Sequence, residues 1–294
     1  MQYGISVPNF GPYHHPRALA GLAREAEDAG WDGFFVWDHI AWGDAPLGDP
    51  WIALAAIAMT TERLRIGPLI TPLPRRRPQK AARETVSLDH LSGGRVVLGV
   101  GTGGHPDEWA LLGDEADART RGMMLDEALE LLTLFWRGEP FTFEGAYYRA
   151  GGVAGPTKDQ AQFLPRPVQQ PRIPVWVGGK WPNRPPFRRA ARWDGVVPMR
   201  VGVELGQTIA PEDVRELVRY TLDRREGAGP FDVVISGQTG GRDRAADAAR
   251  VSLYEDAGAT WWVETIDPWS RGWDGRGGWP LDAMRARVLA GPPI

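Results

Sequence analysis

Short apolar runs alternate along this chain with longer segments in which apolar residues recur at helical spacing. The first pair is the run 2–7 followed by the segment 16–29, where Leu19, Leu22 and Ala26 share one face of a helix. Such a pair occurs eight times. Strands are predicted at 2–7, 33–37, 64–67, 95–100, 173–177, 195–198, 231–236 and 260–265, and helices at 16–29, 50–59, 79–91, 119–136, 184–193, 211–225, 242–257 and 280–289.

Regular alternation of strand and helix favours a parallel sheet, because each helix carries the chain back across the sheet before the next strand begins. The composition does not change along the chain, and no linker or internal repeat divides it. The expected fold is therefore a single (β/α)8 TIM barrel over residues 1–294. An open, doubly wound α/β sheet is the alternative.

The alternation is interrupted after the fourth strand–helix unit, over about residues 139–172. Aromatic residues alternate around Glu144 and Gly145, which indicates a small hairpin; they are Phe141, Phe143, Tyr147 and Tyr148. The following segment, 150–171, is rich in glycine, proline and glutamine. The whole stretch is expected to be an insertion over one end of the barrel.

The composition narrows the classes of function. The chain has 294 residues, a formal net charge of −3 and no cysteine. This charge gives no reason to expect nucleic acid or a membrane as a partner, and the missing cysteine excludes thiol catalysis and disulfides. The five histidines are scattered along the chain, so the sequence does not support a metal site or a metal-dependent hydrolase. Met1 leads directly into a strand, and no apolar run approaches the roughly 20 residues of a membrane span, so a cytoplasmic protein is expected.

Active sites of TIM barrels lie at the carboxyl ends of the strands, so the residues after each apolar run are candidates. Asp38 and His39 end the second predicted strand, and Glu108 follows the fourth. A neutral imidazole at His39 suits a general base, and Glu108 would face it as a carboxyl partner. Each also has a structural explanation: His39 as a polar cap of the strand, and Glu108 as an acid in the first turn of a helix.

Glycines follow two of the strands. The segment 99–104 matches GxGxxG, but it closes a strand in mid-chain and no acidic residue follows at the distance that a dinucleotide site needs. A loop that contacts a phosphate or a planar cofactor, and a purely structural turn, both remain possible. Gly178, Gly179 and Lys180 precede a predicted helix. The amino terminus of a helix suits an anion, but the Gly178–Gly179 pair is also typical of an ordinary turn. The three arginines at 75–77 are expected on a solvated face or at an oligomer contact.

Fourteen tryptophans are many for this length, and several stand in predicted loops where a flat ligand could stack on them. The loops of the second half are expected to shape the substrate pocket through Trp181, Arg184, Met199, Arg200, Trp269 and Trp273.

Together these motifs are similar to the bacterial luciferase-like monooxygenase superfamily. The resemblance lies in the order and spacing of the turn and strand at 92–101, of Glu108 with Trp109, and of the segments 143–148, 165–179 and 190–195. It covers roughly residues 1–200. It implies a (β/α)8 barrel with the insertion, a flavin (FMN) or the deazaflavin coenzyme F-420 at the C-terminal mouth of the barrel, and a homodimer.

Within the superfamily, Asp38, His39, Trp42 and Glu108 resemble the deazaflavin-dependent sugar-phosphate dehydrogenases. The resemblance implies that the histidine is the base toward the substrate hydroxyl and that the glutamate donates a proton to the deazaflavin ring. Trp42 follows His39 by three residues instead of four, and the cations that hold a sugar phosphate have no match after residue 200. The resemblance therefore does not extend to the substrate.

The resemblance also implies which residues surround the cofactor. The loop 68–72 matches a family bulge that holds a non-proline cis peptide behind the ring system, expected here at Leu69–Ile70. The residues expected to bind the cofactor are Asp38, Leu69, Ile70, Gly101, Thr102, Gly103, Gly178, Gly179 and Lys180, and those expected in the substrate pocket are Asn9, Trp42 and Trp181.

With His39 and Glu108 as catalytic residues, the predicted function is hydride transfer between coenzyme F-420 and a small organic substrate. An FMN-dependent monooxygenase that uses reduced flavin and oxygen is the alternative, because the Asp38–His39 pair alone does not choose the cofactor. A non-catalytic flavin-binding protein is a further alternative.

Overall fold

The computed structural model of the chain describes residues 1–152, 159–202 and 207–294. Its main sheet has nine parallel strands, in the order β3-β2-β1-β11-β10-β9-β8-β5-β4, and two further strands form a hairpin. The strands are β1 (Gln2–Val7), β2 (Gly33–Val36), β3 (Arg65–Pro68), β4 (Thr71–Pro72), β5 (Leu98–Gly101), β6 (Phe143–Glu144), β7 (Arg149–Ala150), β8 (Val175–Trp181), β9 (Gly195–Arg200), β10 (Asp232–Gly237) and β11 (Trp261–Thr265). The α-helices are α1 (Pro16–Asp28), α2 (Pro50–Thr60), α3 (Pro78–Ser92), α4 (Asp107–Ala110), α5 (Ala118–Arg137), α6 (Arg184–Ala190), α7 (Pro211–Leu222), α8 (Arg244–Glu255) and α9 (Leu281–Leu289).

The nine strands occupy eight positions around a barrel, because β3 and β4 are successive pieces of one position on either side of Leu69 and Ile70. β3 pairs with β2, and β4 pairs with β5. The sheet closes where Ile66 N–H donates to Arg95 C=O at 3.0 Å and Val97 N–H donates to Ile66 C=O at 2.9 Å. The predicted (β/α)8 barrel is confirmed, and the open-sheet alternative is wrong.

Large side chains fill the barrel toward the amino ends of its strands. The rings of Phe35 and Trp176 lie 5.4 Å apart, and those of Trp176 and Trp261 lie 5.3 Å apart, so this end is a packed core. Toward the carboxyl ends the inward positions are small, with Ser6 on β1 and Gly178 on β8 among them. Space for a ligand is therefore left at the C-terminal mouth.

Strand β8 extends further than its apolar run indicates. The prediction ended this strand at Val177, but pairing continues with β9 as far as Lys180 with Met199 and Trp181 with Arg200. Gly178, Gly179 and Lys180 therefore lie in a strand that ends before α6, and the turn that the sequence allowed at Gly178 and Gly179 is not formed. The neighbouring strand supplies the hydrogen bonds that keep this glycine-rich segment extended.

The hairpin expected near Glu144 is present as β6 and β7, which pair antiparallel. Glu127 on α5 holds its turn, since the carboxylate accepts the N–H groups of Ala146 and Tyr147 at 2.9 Å each. Residues 153–158 of the expected insertion lie outside the described residues. The extent of the insertion and its position over one end of the barrel stay predictions.

Two further findings bear on the classes of site that the fold carries. In the described part of the chain, no helix combines the length and apolarity needed to cross a bilayer. In the same part, no three histidine, cysteine, aspartate or glutamate side chains come together in an arrangement that suits a metal ion.

Candidate active site

The loops after β1, β2 and β5 meet at the C-terminal mouth and bring His39 and Glu108 together. His39 Nδ1 lies 3.2 Å from Glu108 Oε1. The carboxylate only accepts, so this contact places the hydrogen of a neutral imidazole on Nδ1 and leaves Nε2 as the acceptor for a ligand. Glu108 is 1% exposed and also accepts the N–H of Ile40 at 2.7 Å. The pair expected from the sequence is therefore formed.

Asn9 supports His39 through the backbone. Its Nδ2 donates to His39 C=O at 2.8 Å and to Gly48 C=O at 2.8 Å, while its Oδ1 accepts His39 N–H at 3.1 Å. Asn9 is 1% exposed, so its amide is committed to these contacts. It holds the strand end in place and does not line the substrate pocket, where the sequence analysis placed it.

Two arginines hold the carboxylates of this site. Arg75 bridges them, with Nη1 at 3.3 Å from Glu108 Oε2 and Nη2 at 3.0 Å from Asp38 Oδ1, and Arg76 Nη2 lies 2.5 Å from Asp38 Oδ2. The Arg75 side chain is 5% exposed and the Asp38 side chain 2% exposed. Buried charges need such pairing. The expectation of a solvated face or oligomer contact is therefore wrong for Arg75 and Arg76, and Asp38 acts as their partner.

The electrostatic surroundings keep Glu108 ionised. Burial raises its pKa, but the hydrogen bonds from His39 and Ile40 and the charges of His39 and Arg75 outweigh burial and lower the pKa of Glu108 from its ordinary 4.5 to about 2. At neutral pH this side chain is an acceptor that orients His39. The role of proton donor to the cofactor, which the resemblance implied, requires a protonated carboxyl group that these contacts oppose.

The floor of the mouth is built around Ile70. The Leu69–Ile70 peptide bond is cis, as expected. A Cβ on Gly101 would lie 2.2 Å from Ile70 Cδ1, and one on Gly178 would lie 2.5 Å from the same atom. These glycines therefore allow the Ile70 side chain to lie between β5 and β8. Leu69, Ile70, Gly101 and Gly178 meet here, and their contact with a cofactor stays a prediction.

The glycine loop after β5 is fixed by Arg121, which the sequence analysis did not identify. Arg121 Nε donates to Thr102 C=O at 2.9 Å and Nη1 donates to Ala116 C=O at 2.6 Å, while its guanidinium stacks 4.3 Å from the Trp109 ring. Gly103 has φ +79° and packs against that ring. Thr102 and Gly103 are thereby held at the mouth, next to the start of α4 and Glu108.

Three residues of β8 that were predicted to face a ligand lie in different places, because side chains alternate along a strand. Lys180 is exposed at the mouth. Gly179 faces outward, since a Cβ there would lie 2.4 Å from Pro186 Cβ. Trp181 also faces outward, with its ring 5.0 Å from Phe187 and 5.8 Å from Tyr220. The structure does not bring Gly179 or Trp181 to the mouth.

Comparison with known proteins agrees with this fold. The family model described as luciferase-like monooxygenase matches residues 1–263, so the chain belongs to this family. A protein of Nakamurella multipartita named F-420-dependent glucose-6-phosphate dehydrogenase is 35% identical over 186 residues, which cover 61% of this chain and 50% of that protein. The chain spans about half the length of the first curated relatives that it matches.

Two solved structures share the fold. The coenzyme F-420-dependent tetrahydromethanopterin reductase of Methanopyrus kandleri superposes with a TM-score of 0.71 at 18% identity and covers 99% of this chain and 98% of its own. The type II Baeyer–Villiger monooxygenase of Pseudomonas putida in complex with FMN superposes with a TM-score of 0.63 at 22% identity, covering 86% of this chain and 71% of its own.

Glu108 should contribute to stability in a pH-dependent way. Since its pKa is lower in the folded protein than its ordinary value of 4.5, its contribution is present above about pH 5 and is lost as the pH falls toward 2. We expect Glu108→Gln to lower the free energy of unfolding by about 3 kcal/mol at pH 7, and by much less at pH 3. Denaturant unfolding between these pH values measures the difference. Glu226→Gln, at an exposed position, should have no effect, and a loss for Glu108→Gln that does not change with pH would contradict this role.

Proposed function

We propose that this protein is an oxidoreductase that transfers a hydride between coenzyme F-420 and a small organic substrate at the C-terminal mouth of its barrel. The observation that carries the proposal is the His39–Glu108 pair, joined at 3.2 Å beside the floor built around Ile70. Its relatives named F-420-dependent glucose-6-phosphate dehydrogenase support the choice of cofactor.

The residues at the mouth fit a flat tricyclic ring. Gly101 and Gly178 have no side chains to compete with Ile70, which is half-buried and offers an apolar surface at the mouth. Thr102 and Gly103 bring backbone groups to the rim, and the exposed Lys180 supplies a cation for a phosphate of the cofactor. When bound, F-420 supplies the hydride acceptor, so that an alcohol which loses its C–H hydride and its hydroxyl proton becomes a ketone.

His39 takes up the proton in this proposal. Its Nε2 accepts the proton of the substrate hydroxyl while Nδ1–H remains bound to Glu108, so the Glu108 carboxylate stabilises the imidazolium that forms. Arg75 keeps Glu108 in place through its contact at 3.3 Å. In this proposal His39 touches the substrate. Glu108 does not, and acts as a positioning residue for His39.

An FMN-dependent monooxygenase is the second candidate, and the FMN complex of a monooxygenase with this fold favours it. A non-catalytic flavin-binding protein is the third candidate. It would use the same floor and rim but would not need a proton acceptor. The His39–Glu108 pair supports an enzyme over this third possibility.

The cofactor and the base can be tested together. We expect the protein to bind F-420 more tightly than FMN in fluorescence titrations, and His39→Ala to lower turnover by roughly 10² to 10⁴ while its F-420 dissociation constant stays within a few-fold of wild type. His90→Ala, in which the exposed imidazole of α3 is removed, is the matched control and should keep full turnover.

Tighter binding of FMN together with oxygen-dependent turnover would favour the second candidate. Unchanged turnover in His39→Ala would remove His39 from the mechanism.

We also propose that the protein forms a homodimer through α2. This helix carries no charged residue, and its outer face exposes Ile52 by 61% and Met59 by 70%. A helix that is apolar all round is expected to be buried, and a second copy of the chain would cover it. The cytoplasmic location expected from the sequence also stays a proposal.

Disruption of this face should give a monomer. We expect Met59→Glu to halve the molar mass measured by light scattering after size exclusion, because a buried, unpaired carboxylate is costly at an apolar interface. Leu253→Glu, at a position on α8 that is 51% exposed, should leave the molar mass unchanged. A wild-type protein that elutes as a monomer at micromolar concentration would contradict the proposal.

A further inference from the structure

Aromatic rings form a continuous cluster beside His39, here called the aromatic wall: the fully buried Phe10 and the half-buried Trp42, Trp269, Trp273 and Trp279. Phe10 and Trp42 stack at 4.8 Å with 12° between their planes. Trp42 lies 6.0 Å from Trp269, which lies 5.7 Å from Trp273. The wall is assembled from the segments that follow β1, β2 and β11, so three strand ends contribute to it at the mouth.

The wall reaches the proposed base. The Trp42 ring centroid is 4.6 Å from that of His39, and Phe10 lies 5.9 Å from His39. On the other side Trp42 lies 4.8 Å from His105, whose ring is 6.1 Å from that of His39. A ligand that meets His39 therefore lies beside aromatic rings and two imidazoles, which stack on flat apolar groups and hydrogen-bond an uncharged oxygen.

The charges beside the wall offer little to an anion. Arg75 and Arg76 are bound to Asp38 and Glu108, so these four charges cancel. Asp267 lies at the carboxyl end of β11, two residues before Trp269, is 2% exposed and accepts the N–H of Ser270 at 2.8 Å. Asp267 therefore offers a phosphate no favourable charge at this strand end.

The carboxylate of Glu264 on β11 is likewise bound to arginine side chains. It is fully buried and contacts Arg271 at 3.1 Å and Arg287 at 3.2 Å. Arg271 follows the wall residue Trp269 closely in the chain, but its guanidinium is directed to this ion pair. In the described part of the chain, the exposed cations that a phosphate could reach lie at the edges of the site. They include Lys180 on β8, Arg200 at the carboxyl end of β9, which pairs with Asp213, and Arg276 beside Trp273.

We infer that this site takes an uncharged alcohol or ketone on an apolar, ring-bearing body, and that it does not take a sugar phosphate. The aromatic wall binds the body, and His39 meets the single reactive oxygen. This inference rests on the proposed function, since it names the substrate class of the same site. It sets the chain apart from the relatives named for glucose 6-phosphate.

Ligand binding tests the inference without turnover. Calorimetric titrations with 1-(2-naphthyl)ethanol and with glucose 6-phosphate give the two affinities, each in the absence and in the presence of saturating reduced F-420, which cannot accept a hydride from either ligand. We expect the naphthyl alcohol to bind at least tenfold more tightly than the sugar phosphate. Trp269→Ala should weaken its binding about tenfold, and Trp269→Phe should restore most of it because the ring is kept. Tyr147→Ala, on the exposed hairpin turn, is the control and should bind as wild type does.

Two outcomes would overturn the inference. In the first, glucose 6-phosphate binds as tightly as the naphthyl alcohol, and its affinity falls in Lys180→Ala or Arg276→Ala. In the second, the naphthyl alcohol does not bind measurably to the protein with or without F-420. Lack of F-420 binding would instead overturn the proposed function, and the comparison of the two ligands on the cofactor-free protein would still decide the substrate class.

Discussion

The arrangement of this site depends on one buried charge network. Arg75 lies between Asp38 and Glu108, and Glu108 in turn receives Nδ1–H of His39. Three loops that are distant in the chain are joined by these contacts, and the buried charges of Arg75, Asp38 and Glu108 compensate one another. The network holds the imidazole in one orientation, so that Nε2 is the nitrogen left for a ligand. In the proposed mechanism, proton transfer at the mouth depends on charges that do not touch the substrate.

The sizes of the side chains along the strands and loops determine where the floor and the aromatic wall of the mouth lie. Gly101 and Gly178 leave room for Ile70 between two strands, while Phe35, Trp176 and Trp261 close the opposite end of the barrel. The aromatic wall then bounds the space beside His39. In the proposed function, the floor of the barrel mouth is the surface for the planar cofactor, and the aromatic wall is a separate surface for the substrate.

Much of the fold and part of the candidate site could be predicted from the sequence. The alternation of apolar runs and helical segments was sufficient for the barrel, and position after a strand was sufficient for His39 and Glu108. Arg75 and Arg76 were missed because a run of like charges is typical of a solvated face, although two buried carboxylates without cations were a signal that partners were needed. Trp181 was misplaced because the length of β8 depends on pairing with β9, and that length determines which side chains face inward.

The tautomer of His39 tests the central claim most directly. In ¹⁵N-histidine-labelled protein, with the His39 signals assigned by their loss in His39→Gln, the account predicts that the neutral form of the ring is protonated at Nδ1 and unprotonated at Nε2. It also predicts that Asp38→Asn, which removes one charge held by Arg75 and Arg76, shifts the Nδ1 signal. A His39 ring protonated at Nε2, or one that exchanges freely between both tautomers, would contradict the account.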